Sequence, residues 1–381
     1  MNQDVKSILI IIGLTILFFL PLVLSQIPAR GADSYYFLNA IFDKGEINTT
    51  GTLPLATWLF SILPANILAL KLIMLGVTIL ALIIYYFVGK KVSKGVGLIA
   101  PFLLLTSVFF SKIFIRFEDD IFALPFLFLA LYFLICYVQQ PTKKLFDKNI
   151  ILSLIFLFIA CNLWGYCIFF IPLFLIITNY HKLYWLAQVP LLFFISRIIQ
   201  LLKPNFHVLE NSIGLGLLAL AIFGMIYLKR YRYQPLWIAI IVATVLTAIN
   251  MKFLFITIPL ICLAMVHYFE LIPQATRKAV IYIFLTLFVF SIYLTYTSYP
   301  TSSDIKLLNT GQQLAIDTNQ PYVISWSHGY VAKWYGYPVT QWGSYKPHAE
   351  KGVVFTTYGD EQITDCEIID STRYSVLAVC K

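Results

Sequence analysis

Lys112-Ile113-Phe114-Ile115-Arg116-Phe117-Glu118-Asp119-Asp120-Ile121 is the stretch on which the reading of this 381-residue chain turns. Apolar runs near 95–115 and 121–139 flank it, each long enough to cross a bilayer as a helix. Three acidic residues are thereby confined to a gap of a few residues at a membrane edge. Ionised groups there are costly to desolvate and tend to mark ion or substrate chemistry.

The same pattern extends outward in both directions. The chain is 60% hydrophobic and 12% charged, with a mean hydropathy of +0.83. These values exclude a soluble domain or a disordered chain. The apolar runs are continuous rather than alternating, which selects helices over a barrel. Spans are expected near 7–26, 65–89, 95–115, 121–139, 150–163, 165–180, 184–201, 213–228, 235–250, 253–270 and 279–298, about eleven crossings in all. The first lacks a small-residue cleavage site and reads as a retained helix. Leu53–Leu63, bounded by Pro54 and Pro64, is placed in the interface, and the region around Asn162–Cys167 could form a re-entrant hairpin.

A net charge of +9 resembles a nucleic-acid signature, but its distribution argues for topology instead. Lys90, Lys91, Lys94, Lys143, Lys144, Lys148, Lys182, Lys229, Arg230, Arg232, Arg277 and Lys278 fall in alternate gaps, which marks the cytoplasmic side. Membrane lipids, and no nucleic acid, are the partners this implies. The N-terminus is then cytoplasmic and the C-terminus extracytoplasmic. Asp33, Asp43, Glu46, Glu118, Asp119, Asp120 and Glu210 all face outside; the inner gaps hold only Asp4, Asp147 and Glu270.

From about Tyr299 the composition changes, dividing the chain into a multi-span part, 1–298, and a small outer α/β domain, 299–381. Ser302–Thr318 has the spacing of an amphipathic helix behind a polar cap. Pro321–Trp326 and Gly352–Thr357 read as strands, and His328–Tyr335 as a short helix. Glu367–Ser371 and Tyr374–Cys380 could pair as a hairpin, bringing Cys366 toward Cys380. The fold class is therefore an all-α polytopic membrane protein carrying this small domain.

Three outer constellations could carry chemistry: Gly31-Ala32-Asp33-Ser34-Tyr35-Tyr36, Arg116 to Asp120, and Glu210 in Val208-Leu209-Glu210-Asn211. Hard divalent cations prefer carboxylate oxygens, and Mg²⁺ takes only a few of them beside waters or substrate phosphates. Carboxylates from separate loops could meet at one ion, although any one alone could equally be a solvated loop charge. Lys71, Lys112, Arg116, Arg197 and Lys252 lie near outer span ends. Their common role is snorkelling to headgroups; their sharper one is holding a lipid phosphate or pyrophosphate. Trp326-Ser327-His328-Gly329-Tyr330 is rich in aromatics and could line a site or form the small domain's core.

Together these motifs resemble the GT-C membrane glycosyltransferases, nearest the catalytic subunit of oligosaccharyltransferase. Asp33 matches the aspartate of that family's first-loop motif, and Glu118 and Asp120 the paired acids of its second. Glu210 matches its late-loop glutamate, and Lys252 a basic residue that holds the donor pyrophosphate. Ser325-Trp326-Ser327-His328-Gly329 stands where the family has Trp-Trp-Asp-Tyr-Gly, so Ser327 replaces the aspartate that recognises the acceptor. The resemblance implies a GT-C-like fold, Mg²⁺ or Mn²⁺ held by Asp33, Glu118, Asp120 and Glu210, and donor phosphate held by Arg116 and Lys252. It implies acceptor contacts from Trp326, Ser327 and His328.

The implied activity is transfer of a glycan from a polyprenyl-linked sugar donor to a protein or glycan acceptor, protein asparagine first. The expected location is a prokaryotic plasma membrane. A hydroxyl acceptor is the nearest alternative, because of Ser327. A transporter or lipid flippase is the alternative of another class; few intramembrane acids and no inverted repeat speak against it.

Overall fold

A computed structural model describes residues 3–25, 27–42, 54–93, 97–139, 147–170, 254–271, 273–337, 352–357, 363 and 366–380. The helices are α1 (Gln3–Leu24), α2 (Ala32–Phe42), α3 (Pro54–Ile62), α4 (Ile67–Val92), α5 (Ile99–Thr106), α6 (Val108–Phe114), α7 (Asp119–Gln139) and α8 (Lys148–Leu163). A 3₁₀ turn follows at Gly165–Phe170, then α9 (Leu254–Leu271), α10 (Gln274–Tyr296), α11 (Ser302–Thr318) and α12 (Trp326–Trp334). Among the described residues, four helical segments are long and apolar enough to cross a membrane: Gln3–Leu24, Ile67–Val92, Asp119–Tyr137 and Thr276–Tyr296. The expected count of about eleven is not reached among these residues; most of span 165–180 and all of 184–201, 213–228 and 235–250 lie outside them.

Local chemistry sets the helix ends. The Asn66 side chain accepts the Ala69 amide to cap α4, whose last turn carries Lys90 and Lys91. Asp147 caps α8 through the Asn149 amide. Both caps satisfy donors the helix leaves orphaned. Lys71, expected to snorkel, is only 3% exposed. Its ammonium donates to the carbonyls of Leu22 and Ser25, each at 2.8 Å, and so closes the C-terminal end of α1.

The span expected at 95–115 is broken. Ser107 is extended, and its amide still reaches Leu103 and Leu104, ending α5. Its carbonyl accepts the Ser111 amide at 2.8 Å to open α6. One serine thus completes two helix ends, which makes the break cheap in hydrogen bonds. α10 fastens both pieces: Ser291 donates to the Leu105 carbonyl at 3.1 Å, and the Ser111 and Thr295 hydroxyls meet at 2.7 Å. The expected interfacial segment is the helix α3, with Trp58 and Ile62 exposed.

The C-terminal part is a sheet covered by helices. β1 (Tyr322–Ile324), β2 (Gly352–Thr357), β3 (Glu367–Ser371) and β4 (Ser375–Cys380) lie in the order β1-β2-β4-β3. β1 pairs parallel with β2; β2–β4 and β3–β4 are antiparallel. The hairpin read from the sequence forms, and Cys366 is bridged to Cys380. α11 opens on a reciprocal cap between Thr301 and Asp304. It packs Leu307, Leu308 and Ala315 against Tyr322, Val353, Phe355 and Leu377. The largest core is in the helical part and takes in Val331 of α12.

Candidate active site

Two helix beginnings meet at the edge of the bundle. α2 has Asp33 in its first turn and α7 has Asp119 and Asp120 in its own. A helix N-terminus presents unsatisfied amides and partial positive charge, a favourable setting for acidic side chains. The segment before α2 is tied down first: the Arg30 amide donates to the Ile115 carbonyl at 3.3 Å and the Gly31 amide to the Tyr299 carbonyl at 2.9 Å.

Ser34 then joins the two loops. Its hydroxyl donates to the Arg30 carbonyl at 2.7 Å, accepts the Phe117 amide at 3.0 Å, and stands 3.4 Å from Glu118 Oε1. Gly31, with φ +86°, lies against the same group: a Cβ there would come within 3.1 Å of Arg116 Nε and 3.2 Å of Glu118 Oε1. The positive φ favours glycine here, and a Cβ would press the Arg116 and Glu118 side chains by a few tenths of an ångström. Neither Gly31 nor Ser34 stands among the residues read as ligands. The one available signal was their adjacency to Asp33.

The acids differ in exposure. Asp33 is open to solvent, whereas Glu118 and Asp120 are 9% and 5% exposed. Arg116 Nε lies 3.9 Å from Glu118 Oε1. Glu118 first, then Asp120 and Asp33, hold the Arg116 guanidinium above its ordinary range against its own desolvation. One cation therefore feels acids from both loops. Glu210 and Lys252 lie outside the described residues.

Hard-cation chemistry suits this all-oxygen set, since Mg²⁺ needs only one or two carboxylates beside substrate phosphate. Among the described residues, no three His, Cys, Asp or Glu side chains gather closely enough to hold an ion on their own. Glu118 and Asp120, both buried at the start of α7, are the described acids that could hold a hard cation together with substrate phosphate.

The C-terminal part borders this site through α12. The Asn39 side chain of α2 donates to the Tyr330 carbonyl at 2.9 Å. Tyr36 meets Tyr330 edge-on at 5.2 Å and Phe42 meets Trp334 at 5.0 Å. Burial, Tyr36 and Asp33 together raise the Tyr330 pKa, so Asp33 is felt on α12.

His328, read as an acceptor contact, is instead a core residue. It is 3% exposed. Its Nδ1 lies 2.9 Å from the Ser325 hydroxyl and its Nε2 3.1 Å from that of Ser375. Tyr299 and Phe355 pack on the ring. Both nitrogens are occupied internally, which leaves the imidazole no free edge for a ligand.

No family model matches the chain, and no curated protein sequence does. Solved structures do match. The apo crystal structure of the Archaeoglobus fulgidus oligosaccharyltransferase superposes with a TM-score of 0.59 at 12% identity, over 87% of this chain and 63% of that one. The archaeal oligosaccharyltransferase AglB from Archaeoglobus fulgidus, in complex with an inhibitory peptide and a dolichol-phosphate, gives 0.60 at 12% identity over the same shares. A complex of the Archaeoglobus fulgidus enzyme with Zn and sulfate gives 0.58 at 15% identity, over 87% and 61%. The chain thus has the fold of these archaeal oligosaccharyltransferases and spans about 63% of their length.

Proposed function

We propose that this chain is a metal-dependent membrane glycosyltransferase. It moves a glycan from a polyprenyl phosphate or pyrophosphate donor to an acceptor, protein asparagine first, on the extracytoplasmic face. The observation that supports this best is the junction of α2 and α7, where Glu118, Asp120 and Asp33 all act on the Arg116 guanidinium within an oligosaccharyltransferase-like fold. A fold alone does not carry function; the order of the acidic motifs along the chain adds to it.

In this reading Glu118, Asp120, Asp33 and Glu210 hold Mg²⁺ or Mn²⁺, which when bound supplies Lewis-acid stabilisation of the leaving phosphate. Asp33 is exposed where Glu118 and Asp120 are buried, so it orients the acceptor or takes its proton. Arg116 and Lys252 meet the negative charge that grows on the leaving group. Trp326 and Ser327, at the start of α12, contact the acceptor. A dolichol-phosphate and an inhibitory peptide are bound in an AglB structure, and a lipid-linked donor and a peptide are the same kinds of partner proposed here. The chain would divide into a catalytic part, 1–298, and an extracytoplasmic part, 299–381, in a prokaryotic plasma membrane with a cytoplasmic N-terminus.

Ser327 favours a second reading within the same chemistry, a hydroxyl acceptor, because serine stands where the family's acceptor-recognising aspartate would be. One experiment separates the two. The purified full chain is incubated with lipid-linked glycans, Mn²⁺ and an acceptor-peptide library, with and without EDTA, and the products are read by mass spectrometry. Metal-dependent glycan on Asn is the expected result, and glycan on Ser or Thr would move the acceptor class. Asp33→Ala should lower transfer by about a hundredfold or more; an undiminished rate would overturn the proposal.

A further inference from the structure

A cleft of about 570 Å³ lies beside the segment that carries the acidic junction, where the end of α10, the first turn of α11 and the β3–β4 turn meet. Arg30 and Arg373 line it together with Thr301, Ser302, Ser303 and Thr372, and its lining has no carboxylate. Arg30 is 8% exposed. One of its terminal nitrogens donates to the Ser298 carbonyl at 3.2 Å and to that of Pro300. Its Nε is buried without a hydrogen-bond partner among the described residues. No carboxylate lies within ion-pair distance of it among them. A guanidinium buried in this way is costly until an anion meets it.

The rest of the cleft has the same sign. Arg373 is exposed and lies over the Tyr374 ring at 5.5 Å. The N-terminus of α11, a 17-residue helix, opens beside it. The acid of that first turn is turned inward: Asp304 is 2% exposed. One of its oxygens takes the Thr301 amide at 2.7 Å and hydroxyl at 2.6 Å; the other takes the Ser375 hydroxyl at 3.0 Å and that of Thr372. What remains in the lining is two arginines and Ser302 and Ser303 in the first turn of α11, donors of the kind that bind tetrahedral oxyanions. Tyr293, also in the lining, is 62% exposed and continues the outward row Tyr282, Leu285 and Val289 of α10. The cleft therefore opens at the end of a lipid-facing stripe.

We infer that this cleft binds a phosphate group at the membrane edge, the headgroup of an anionic lipid or a small soluble phosphate. Its lining includes none of Asp33, Glu118 and Asp120, and binding here does not depend on the function proposed for them. The test uses the full chain in detergent, read by native mass spectrometry. Phosphatidylglycerol is titrated against digalactosyldiacylglycerol of the same acyl chains, which has no phosphate. The expected result is roughly tenfold tighter retention of phosphatidylglycerol. Arg373→Gln should erase that preference; Arg30→Gln is the poorer probe because it also frees Ser298 and Pro300. Competition with millimolar inorganic phosphate assigns the source: displacement identifies the soluble ion, and retention the lipid headgroup. Equal retention of the two lipids, or a preference that survives Arg373→Gln, overturns the inference.

Discussion

The hydroxyl of Ser34 accepts the Phe117 amide at 3.0 Å across 83 positions of chain. One small side chain so fixes how the loop carrying Asp33 sits against the loop carrying Glu118 and Asp120. Ser34→Ala leaves a buried amide without its acceptor, at a cost of about 1–3 kcal/mol. Thermal melting in detergent should register that loss. Transfer, if the proposed activity holds, should fall by roughly tenfold to a hundredfold as the acids lose register.

Two glycines with positive φ separate strain from crowding. Gly336 (φ +78°) has nothing within 4 Å of an added Cβ, whereas Gly31 (φ +86°) has Arg116 and Glu118 at 3.1 and 3.2 Å. Gly336→Ala should cost about 1–2 kcal/mol from backbone conformation alone. Gly31→Ala should cost more and should also lower transfer, because the methyl displaces the Arg116–Glu118 pair. Equal melting temperatures for the two variants would contradict the crowding argument.

His328 should make stability depend on pH. Burial pushes its pKa down to about 4, below its ordinary 6.5. In this range the unfolded chain binds the proton more readily than the folded one. The stabilisation from a neutral buried ring is thus complete above about pH 6.5 and is lost as pH falls toward 4. The total is on the order of a few kcal/mol. Melting curves from pH 8 to 4 should show this decline in the native chain, and His328→Gln should flatten it.

Lys71→Met tests a structural use of charge in the membrane part. The ammonium satisfies the carbonyls of Leu22 and Ser25 at 2.8 Å each. Methionine keeps the length and removes both donors, which should destabilise the protein by about 1–3 kcal/mol. A variant that melts like the native chain would show that these carbonyls find other donors.

Much of this was legible because it rests on local rules. Apolar runs located α1, α4, α7 and α10, and turn and strand chemistry located the β3–β4 hairpin; a Ser/Asp cap was read for α11, whose cap is Thr301 with Asp304. The break at Ser107 was not legible, because a Thr106-Ser107 pair is equally at home inside a membrane helix and only the hydrogen bonding divides α5 from α6. His328 was misread for a related reason: Ser325 and Ser375 approach it from a helix cap and a distant strand, and no spacing announces the second. Around the acids, types and positions could be read as candidates. The parts played by Gly31 and Ser34 depend on a chain crossing that exists only after folding.

The seating of α2 on α12 also bears on how the protein is made. Asn39 and Tyr330 are 291 positions apart, and Arg30 reaches Ser298 across 268. When the first loop leaves the ribosome, the surface that will cover Tyr36 and Phe42 has not been synthesised, and contacts of such separation close last. The aromatic side of α2 therefore waits uncovered through most of translation, and the acidic junction takes its final form only at the end of biosynthesis.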